Sequence, residues 1–200
     1  MTQARPQRAP RTAPQVRREQ LTRAALTAFA EHGYAGVELQ AIADEVGVTR
    51  NLIHHYFPGG KSELHLAAVR LACAELVDML DVDPGVALAR KMPANVDAYL
   101  REILQPSARY MLYARALRSA EEDVRATAIE ARSLIAAGTA RNHLGTARPP
   151  AAVRAALVGF IAFTETTAEQ WRDLGVRDQA RLRALIMDVL VATVASASGA

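Results

Sequence analysis

The sequence predicts an all-α protein of about nine helices, from its composition and from the spacing of its apolar residues. Half of the 200 residues are hydrophobic and only 5% are aromatic, and alanine and leucine, both strong helix formers, dominate. Apolar side chains recur at helical spacing along most of the chain. A chain of this length can bury a substantial core in one or two domains.

Positive charge is concentrated at the start of the chain. Residues 1–23 contain six arginines and one acidic residue, a formal charge of +5 in a chain whose total is +3. Residues 1–12 show no apolar period, and we expect a disordered basic tail there. No run of eighteen apolar residues and no signal-peptide pattern occurs, which favours a cytoplasmic protein without a membrane span. The single cysteine, Cys73, lies among apolar residues and is expected to be buried.

The stretch LQAIADEVGVTRNLIHHYFP, residues 39–58, predicts two short helices joined by a tight turn. Ile42 and Val46 lie four residues apart on one face of the first helix, and Ile53 and Phe57 repeat that spacing in the second. The two apolar faces are expected to pack against each other. This stretch therefore has the pattern of a helix-turn-helix.

The outward positions of the second helix all carry hydrogen-bonding side chains. Gly47 supplies the permissive backbone of the turn, and Thr49 is expected to cap the helix. Arginine can form two hydrogen bonds with the edge of guanine and asparagine two with adenine, so this helix could read bases in a major groove. A solvated helical hairpin is the alternative. The outward residues are Arg50, Asn51, His54, His55 and Tyr56.

Together with its flanking segments, this stretch resembles the N-terminal domain of the tetracycline-repressor (TetR) family. The resemblance covers roughly residues 17–69 and rests on HGY at the end of a preceding helix, on AIADEVGV, on a YF pair and on GGKSEL. It implies a three-helix DNA-binding domain, which we predict at residues 13–62. A helical ligand-binding and dimerisation domain is predicted at residues 63–200.

The resemblance also implies a set of DNA contacts. Arg50 and Asn51 are predicted to contact base edges, with His54 beside them. Glu38 departs from the family pattern, in which a threonine usually stands at this helix cap, and its carboxylate would repel a phosphate. Gln40 is the predicted substitute. The residues predicted mainly to hold phosphates are Gln40, Thr49, His55, Tyr56 and Lys61.

Two other interpretations of this region fail on spacing. The string GGKS ends like a P-loop, but His55 stands five residues before Gly60, where that motif needs glycine. Adjacent histidines on a helix diverge by about 100°, and no HExxH or paired-cysteine pattern supports His54, His55 and His65 as metal ligands. We therefore expect no metal and no cofactor apart from a small-molecule effector.

Further helix ends can be predicted from capping residues. A capping box of Thr12 and Gln15 should open the first helix, and Gly33 should end it as a left-handed cap. Ser62 should open a long helix to about Leu80 that links the DNA-binding head to the rest. Asp83-Pro84-Gly85 then predicts a turn, and Pro93 the start of another helix. The later helices are predicted from Ser107 to about Leu117, Ser119 to Leu144, Ala151 to Leu174 and Asp178 to about Ala195.

The last two predicted helices carry apolar side chains on more than one face, which a single core cannot cover. A four-helix bundle with a symmetry mate would bury both faces, and the resemblance likewise implies a homodimer here. A dimer would place two recognition helices about 34 to 36 Å apart in adjacent major grooves. The predicted interface residues are Leu157, Phe160, Ile161, Leu182, Leu185, Ile186, Val189 and Leu190.

The middle helices are expected to enclose an effector pocket with tyrosine, threonine and apolar walls. Such a mixture suits a mostly apolar small molecule with a few polar groups. An ordinary hydrophobic core is the alternative. The predicted ligand-binding residues are Tyr99, Tyr110, Met111, Tyr113, Phe163, Thr164 and Thr167.

The sequence thus predicts a homodimeric, ligand-responsive transcriptional regulator, in particular a repressor that a small molecule releases from a palindromic DNA operator. An activator, or a regulator without an effector, is the alternative. A protein-binding adaptor and a small helical enzyme are more remote, and we expect no catalytic residue. The chain offers no nucleophile beside a base, no carboxylate pair and no metal-ligand spacing.

Overall fold

The chain, described by a computed structural model over residues 14–80, 88–146 and 148–198, consists of helices joined by turns and short loops and has no strand in those ranges. The predicted all-α class is therefore confirmed. The predictions for residues 1–12, Thr12 and Asp83-Pro84-Gly85 lie outside the described residues. The helices are α1 (Pro14–Gly36), α2 (Leu39–Val46), α3 (Arg50–Tyr56), α4 (Gly60–Met79), α5 (Leu88–Leu104), α6 (Ala108–Ala116), α7 (Glu122–Leu144), α8 (Ala151–Asp173) and α9 (Gln179–Ser198).

The first three helices form a compact head around a shared apolar core. Phe29 from α1, Ile42 from α2, Ile53 from α3 and Phe57 just after α3 are fully buried. Complete burial of such a side chain is worth roughly 1.5 to 3 kcal/mol. Because Ile53 and Phe57 lie one turn apart on the inner side of α3, their burial fixes which side of that helix faces solvent.

Helix α4 joins this head to the C-terminal helices without a flexible linker, packing on α1 on one side and on α6 and α7 on another. The prediction that it begins at Ser62 is wrong, because it begins at Gly60. The capping group comes from inside the helix, where a Glu63 carboxylate oxygen accepts the N–H of Gly59 at 2.8 Å. The proposed domain boundary between residues 62 and 63 thus falls within α4.

Local capping signals predicted several other helix ends correctly. Gly47 after α2 and Gly145 after α7 are left-handed, with φ of 69° and 70°. The Ser107 hydroxyl accepts the N–H of Tyr110 at 3.3 Å and caps α6. Asp178 accepts a backbone N–H in the first turn of α9. These ends depend on interactions within a few residues, and for that reason they can be read from sequence.

Three other predicted caps differ in the structure. Thr49 holds the N-cap position of α3 in an extended conformation, but its side chain makes no capping hydrogen bond. Helix α5 begins at Leu88, so Pro93 lies inside it and does not start it. Glu121 is the N-cap of α7, because the Ser119 hydroxyl accepts the N–H of Glu121 and forms a local turn before the helix.

Gly33 kinks α1 close to its end. The prediction of a left-handed cap is wrong, since the helix resumes to Gly36 and Gly33 adopts φ 68° and ψ 172°. Only glycine adopts this combination readily. A Cβ at this position would also lie 3.2 Å from a guanidinium nitrogen of Arg115 on α6. The kink therefore lies where the head contacts the C-terminal helices.

We expect Gly33→Ala to lower the free energy of unfolding by about 1 to 3 kcal/mol, because alanine is strained at this φ and ψ. Chemical denaturation measures the loss. The Gly33→Ala/Arg115→Ala double variant separates backbone strain from the side-chain contact. Since strain is the dominant cost, removing the Arg115 side chain should not restore stability, and full restoration would contradict this explanation.

Helix α8 is the central helix of the C-terminal part and packs against α5, α7 and α9. Among the described helices, α8 alone is long and apolar enough to cross a membrane, a property that core helices of globular proteins share. One of its faces buries Leu157, Phe160 and Thr164 against its neighbours. This same face carries Glu165, which is 4% exposed.

Candidate nucleic-acid interface and buried cavity

The connection between α2 and α3 is a tight turn held by backbone hydrogen bonds. The N–H of Val48 donates to the carbonyl of Ala43 at 2.9 Å, and the N–H of Gly47 donates to that of Asp44 at 3.1 Å. Ala43 is fully buried. The two helices therefore form a rigid hairpin of the kind that the sequence predicts.

The outer side of α3 carries the predicted base-reading residues. Arg50, Asn51, His54 and His55 are all exposed. Within the described residues, no side-chain hydrogen bond or ion pair engages Arg50 or Asn51. Tyr56 is half-buried, and its ring lies edge-on to that of His55 with 5.2 Å between centroids. This surface, which we call the recognition face, can offer its donors to another molecule.

Two of the predicted phosphate contacts are already held by neighbouring groups. The Gln40 amide donates to an Asp44 carboxylate oxygen at 2.7 Å, one turn further along α2. The Lys61 ammonium lies 4.8 Å from the centroid of the Tyr34 ring and 3.5 Å from the carbonyl oxygen of Ala35. Lys61 is thus held beside the end of α1 by a cation–π contact. Exposed Glu38 stands at the N-cap of α2 without a side-chain capping bond.

Sequence reasoning missed two side chains that support this interface. Tyr34 stacks on Phe29 with 6.1 Å between centroids and orients Lys61. The Arg18 guanidinium lies 4.6 Å over the ring of Phe57. The contacts of Lys61 with Tyr34 and of Arg18 with Phe57 join segments that are far apart in sequence, so no local sequence pattern predicts them.

The predicted effector residues occupy different environments in the structure. Tyr99, Tyr110, Tyr113 and Thr164 are buried. Of the seven, only Tyr99 and Thr164 line the cavity that lies between α5, α7, α8 and α9. Phe163 lies on the exposed side of α8 and does not face the middle helices. Met111 and Thr167 are half-buried.

Two glutamates on α8, one turn apart, bind the buried tyrosines. Glu165 Oε1 accepts the hydroxyls of Tyr99 and Tyr113, each at 2.6 Å, and its other oxygen pairs with Arg132 of α7. Burial, and next the charge of Glu165, raise the pKa of Tyr99 well above its ordinary value, so this tyrosine stays a donor. We call these four residues the Glu165 cluster.

Glu169 holds α6 in a similar but more exposed way. One carboxylate oxygen accepts the Tyr110 hydroxyl at 3.1 Å, and the other pairs with Arg118 at 2.8 Å. The roles of these glutamates were not predicted from the sequence. Glu165 lies within the apolar face of a helix, and a buried carboxylate there needs hydrogen-bonding or charged partners, so its position could have indicated a buried polar cluster.

The cavity has a volume of about 30 Å³. Its polar wall comes from five side chains, and the rest is apolar, including Leu80, Phe160 and Leu190. Ligand pockets for drug-sized molecules usually span about 300 to 1,000 Å³, so this one is largely closed. The five polar side chains are Asn95, Tyr99, Thr139, His143 and Thr164.

Most residues predicted for the dimer interface lie inside the protomer. Leu157, Phe160, Ile161, Leu182, Ile186 and Leu190 are buried, Val189 is half-buried, and Leu185 is exposed. The apolar surface of α8 and α9 is therefore carried by other positions. We call it the α8–α9 face, formed by exposed Ala155, Gly159 and Phe163 of α8 and exposed Ala184, Leu185, Val191, Ala192 and Ala195 of α9, and exposed Asp188 lies among these α9 positions.

A buried hairpin core, an exposed row of hydrogen-bonding side chains and a helical second part are the features expected of a helix-turn-helix DNA-binding protein. Residues 21–68 match the family described as "Bacterial regulatory proteins, tetR family". This match supports the resemblance for the DNA-binding region. The curated proteins similar to this region are named as transcriptional regulators.

One similar curated protein is the HTH-type transcriptional repressor AcnR of Corynebacterium diphtheriae, 31% identical over 84 residues, which cover 42% of this chain and 44% of AcnR. The chain thus spans less than half the length of that relative in the matched region. A solved tetR-family transcriptional regulator from Streptomyces coelicolor superposes with a TM-score of 0.76 at 23% identity, over 94% of this chain and 84% of that one.

The transcriptional regulator FadR from Bacillus subtilis, solved in complex with stearoyl-CoA, superposes with a TM-score of 0.60 at 19% identity. The superposition covers 88% of this chain and 97% of that protein. At this level of identity the two solved structures establish a shared fold. The match to AcnR covers 42% of this chain, and the family match ends at residue 68, so the C-terminal part is characterised mainly by its fold.

Proposed function

We propose that this protein is a homodimeric, cytoplasmic transcriptional repressor that binds a palindromic DNA operator and is released by a small molecule. The observation that carries the proposal is the recognition face. A fully buried core fixes α3 so that Arg50 and Asn51 project outward with no partner in the described part of the chain. The N-terminal match to TetR-family regulators supports DNA as the partner of this face.

Homodimerisation is supported by the α8–α9 face and by the shortness of the reading helix. Helix α3 has seven residues and can read only a few base pairs, whereas two copies related by a twofold axis read a palindrome. Alanine and glycine on the α8–α9 face allow two such faces to approach closely. Regulation by a small molecule is supported by the fold shared with FadR, which was solved with stearoyl-CoA, and by the cavity beside the Glu165 cluster.

The operator can be tested by selecting genomic DNA fragments with the purified protein and footprinting the enriched fragments. We expect a protected inverted repeat and an affinity that falls steeply as salt rises, because Lys and Arg contacts release counterions from phosphates. Absence of any footprint at low ionic strength contradicts DNA binding.

Arg50 and Lys61 should differ in their effects on that operator. Arg50→Ala is expected to cost about 1 to 3 kcal/mol on the operator and to relax the preference at one base position, since a bidentate base contact is lost. Lys61→Ala should weaken binding to all sequences alike, because a lysine beside the α1 terminus contacts only phosphate. Fluorescence anisotropy on the operator and on single-base variants measures both effects.

Arg101→Ala is the matched control, because Arg101 is an exposed arginine of α5, outside the head. It should leave affinity and sequence preference unchanged. If Arg50→Ala and Lys61→Ala lose affinity in the same sequence-independent way, the assignment of Arg50 to base reading is wrong.

A further inference from the structure

Among its described wall residues, the small cavity of the C-terminal part has one buried polar atom that lacks a hydrogen-bond partner. His143 projects from α7, and its Nδ1 atom is buried and makes no hydrogen bond within the described structure. A buried nitrogen without a hydrogen bond costs about 1 to 3 kcal/mol in folded proteins. A ligand group that pairs with this nitrogen would recover part of that cost.

The hydroxyls of the cavity wall have their protons engaged elsewhere. Thr139 donates to the carbonyl of Ile135 at 3.0 Å, and Thr164 donates to that of Phe160 at 2.9 Å. The Tyr99 hydroxyl donates to Glu165. These hydroxyl oxygens can therefore only accept a hydrogen bond from a ligand, so the wall favours a ligand that donates one.

Among the described residues, no cationic side chain lines the cavity, so a carboxylate or phosphate placed there would find no cation in this part of the wall. Burial lowers the pKa of His143 to about 4, so the imidazole is neutral at pH 7 and does not supply a positive charge. The carboxylate next to the described wall, Glu165, already binds Arg132 and two tyrosines. A ligand cation would therefore also lack a free counter-charge.

We propose that this cavity binds a neutral, mostly apolar molecule through one O–H or N–H donor that pairs with Nδ1 of His143. The proposal rests on the effector-responsive function proposed above and names the chemical class of that effector. It assigns His143 as the residue that distinguishes a hydrogen-bond donor from an ether or an anion of similar size.

A cavity of 30 Å³ has room for about two water molecules, so a larger ligand requires a wall to move. We assign that movement to α5. Pro93 lies inside α5 and has no N–H to donate to the preceding turn, which weakens the helix next to the wall residues Asn95 and Val96. The amide of Asn95 ties α5 to the Leu80 carbonyl only at 3.5 Å.

The test uses the full-length protein without DNA and four probes of similar length: 1-hexanol, 1-methoxypentane, hexanoate and hexylammonium. The ¹⁵N resonance of His143 Nδ1 is followed during titration, and dissociation constants are obtained from the same spectra. We expect 1-hexanol to shift this resonance and to bind at least about tenfold more tightly than the other three. Tighter binding of either ion, or equal binding of the ether, overturns the proposal.

His143→Leu should reduce the preference for 1-hexanol over 1-methoxypentane to about onefold, while the exposed His32→Leu control should retain it. The wild-type spectrum gives a second criterion that needs no variant. Because a donor ligand requires an acceptor, an unliganded Nδ1 that already carries the proton contradicts the assignment.

These readouts contain no DNA, so they separate the ligand class from the proposed function. If 1-hexanol binds at His143 and operator affinity stays unchanged, the ligand assignment holds and release by an effector is wrong. If none of the probes shifts His143 while the protein still binds its operator, the ligand assignment falls and DNA binding stands.

Discussion

Glu165→Leu is expected to lower the free energy of unfolding by about 3 to 5 kcal/mol, the largest single-residue effect on stability that the structure predicts. Glu165 is 4% exposed and accepts two tyrosine hydroxyls and an arginine. Leucine has a similar volume, so the loss of unfolding free energy comes from polar groups left without a hydrogen-bond partner and not from a cavity. The side chain of Arg132, 23% exposed, would keep a charge without its counter-ion.

Denaturation in urea or guanidinium measures this loss, and Glu169→Leu is the matched control one helical turn away. Its cost should be about 1 kcal/mol, because the Arg118 partner of Glu169 is largely in water. The Glu165→Leu/Arg132→Leu double variant should be more stable than Glu165→Leu alone, since it removes the stranded charge as well. Equal losses for Glu165→Leu and Glu169→Leu would show that burial of the Glu165 cluster has no energetic consequence.

Val191→Asp is expected to convert the proposed dimer to a monomer and thereby to abolish high-affinity binding to the proposed operator. Val191 is 57% exposed in the protomer and lies on the α8–α9 face, with exposed Ala184 two turns before it. In a twofold dimer the substitution buries two aspartates without partners. A cost of at least about 4 kcal/mol raises the dimer dissociation constant about a thousandfold.

Size-exclusion chromatography with light scattering measures the mass, and anisotropy measures operator affinity. Ile129→Asp is the control, because Ile129 is 51% exposed and equally apolar but lies on α7, outside the α8–α9 face. It should remain a dimer. If Val191→Asp is still dimeric and Ile129→Asp is monomeric, the interface lies on α7 and the proposed face is wrong.

The DNA-binding head could be predicted closely because its signals are local. The four-residue spacing of Ile42 and Val46 and of Ile53 and Phe57 predicted which sides of the two helices are buried, and the structure buries Ile42, Ile53 and Phe57 completely. Gly47 predicted the left-handed turn between them. Contacts between residues distant in sequence, such as that of Lys61 with the Tyr34 ring, were not predicted.

The C-terminal part was harder to predict, because α8 and α9 carry apolar side chains on more than one face. Their sequence shows that two faces must be buried, but it does not show which of them packs in the protomer's own core. Phe160 and Ile186 were therefore assigned to a dimer interface, whereas the structure buries them in the wall of the cavity. The rotation of each helix depends on the packing of α5 and α7 against them.

By itself the sequence predicted the all-helical class, the helix-turn-helix, the outward Arg50 and Asn51, and the resemblance to the TetR family, since each follows from composition or from residues close together in the chain. Only the tertiary structure decided which groups bind Glu165 and which sides of α8 and α9 form the α8–α9 face. It also decided that Nδ1 of His143 has no hydrogen bond within the described residues. Those features arise where helices distant in sequence pack together, and side-chain packing there is set by the whole core at once.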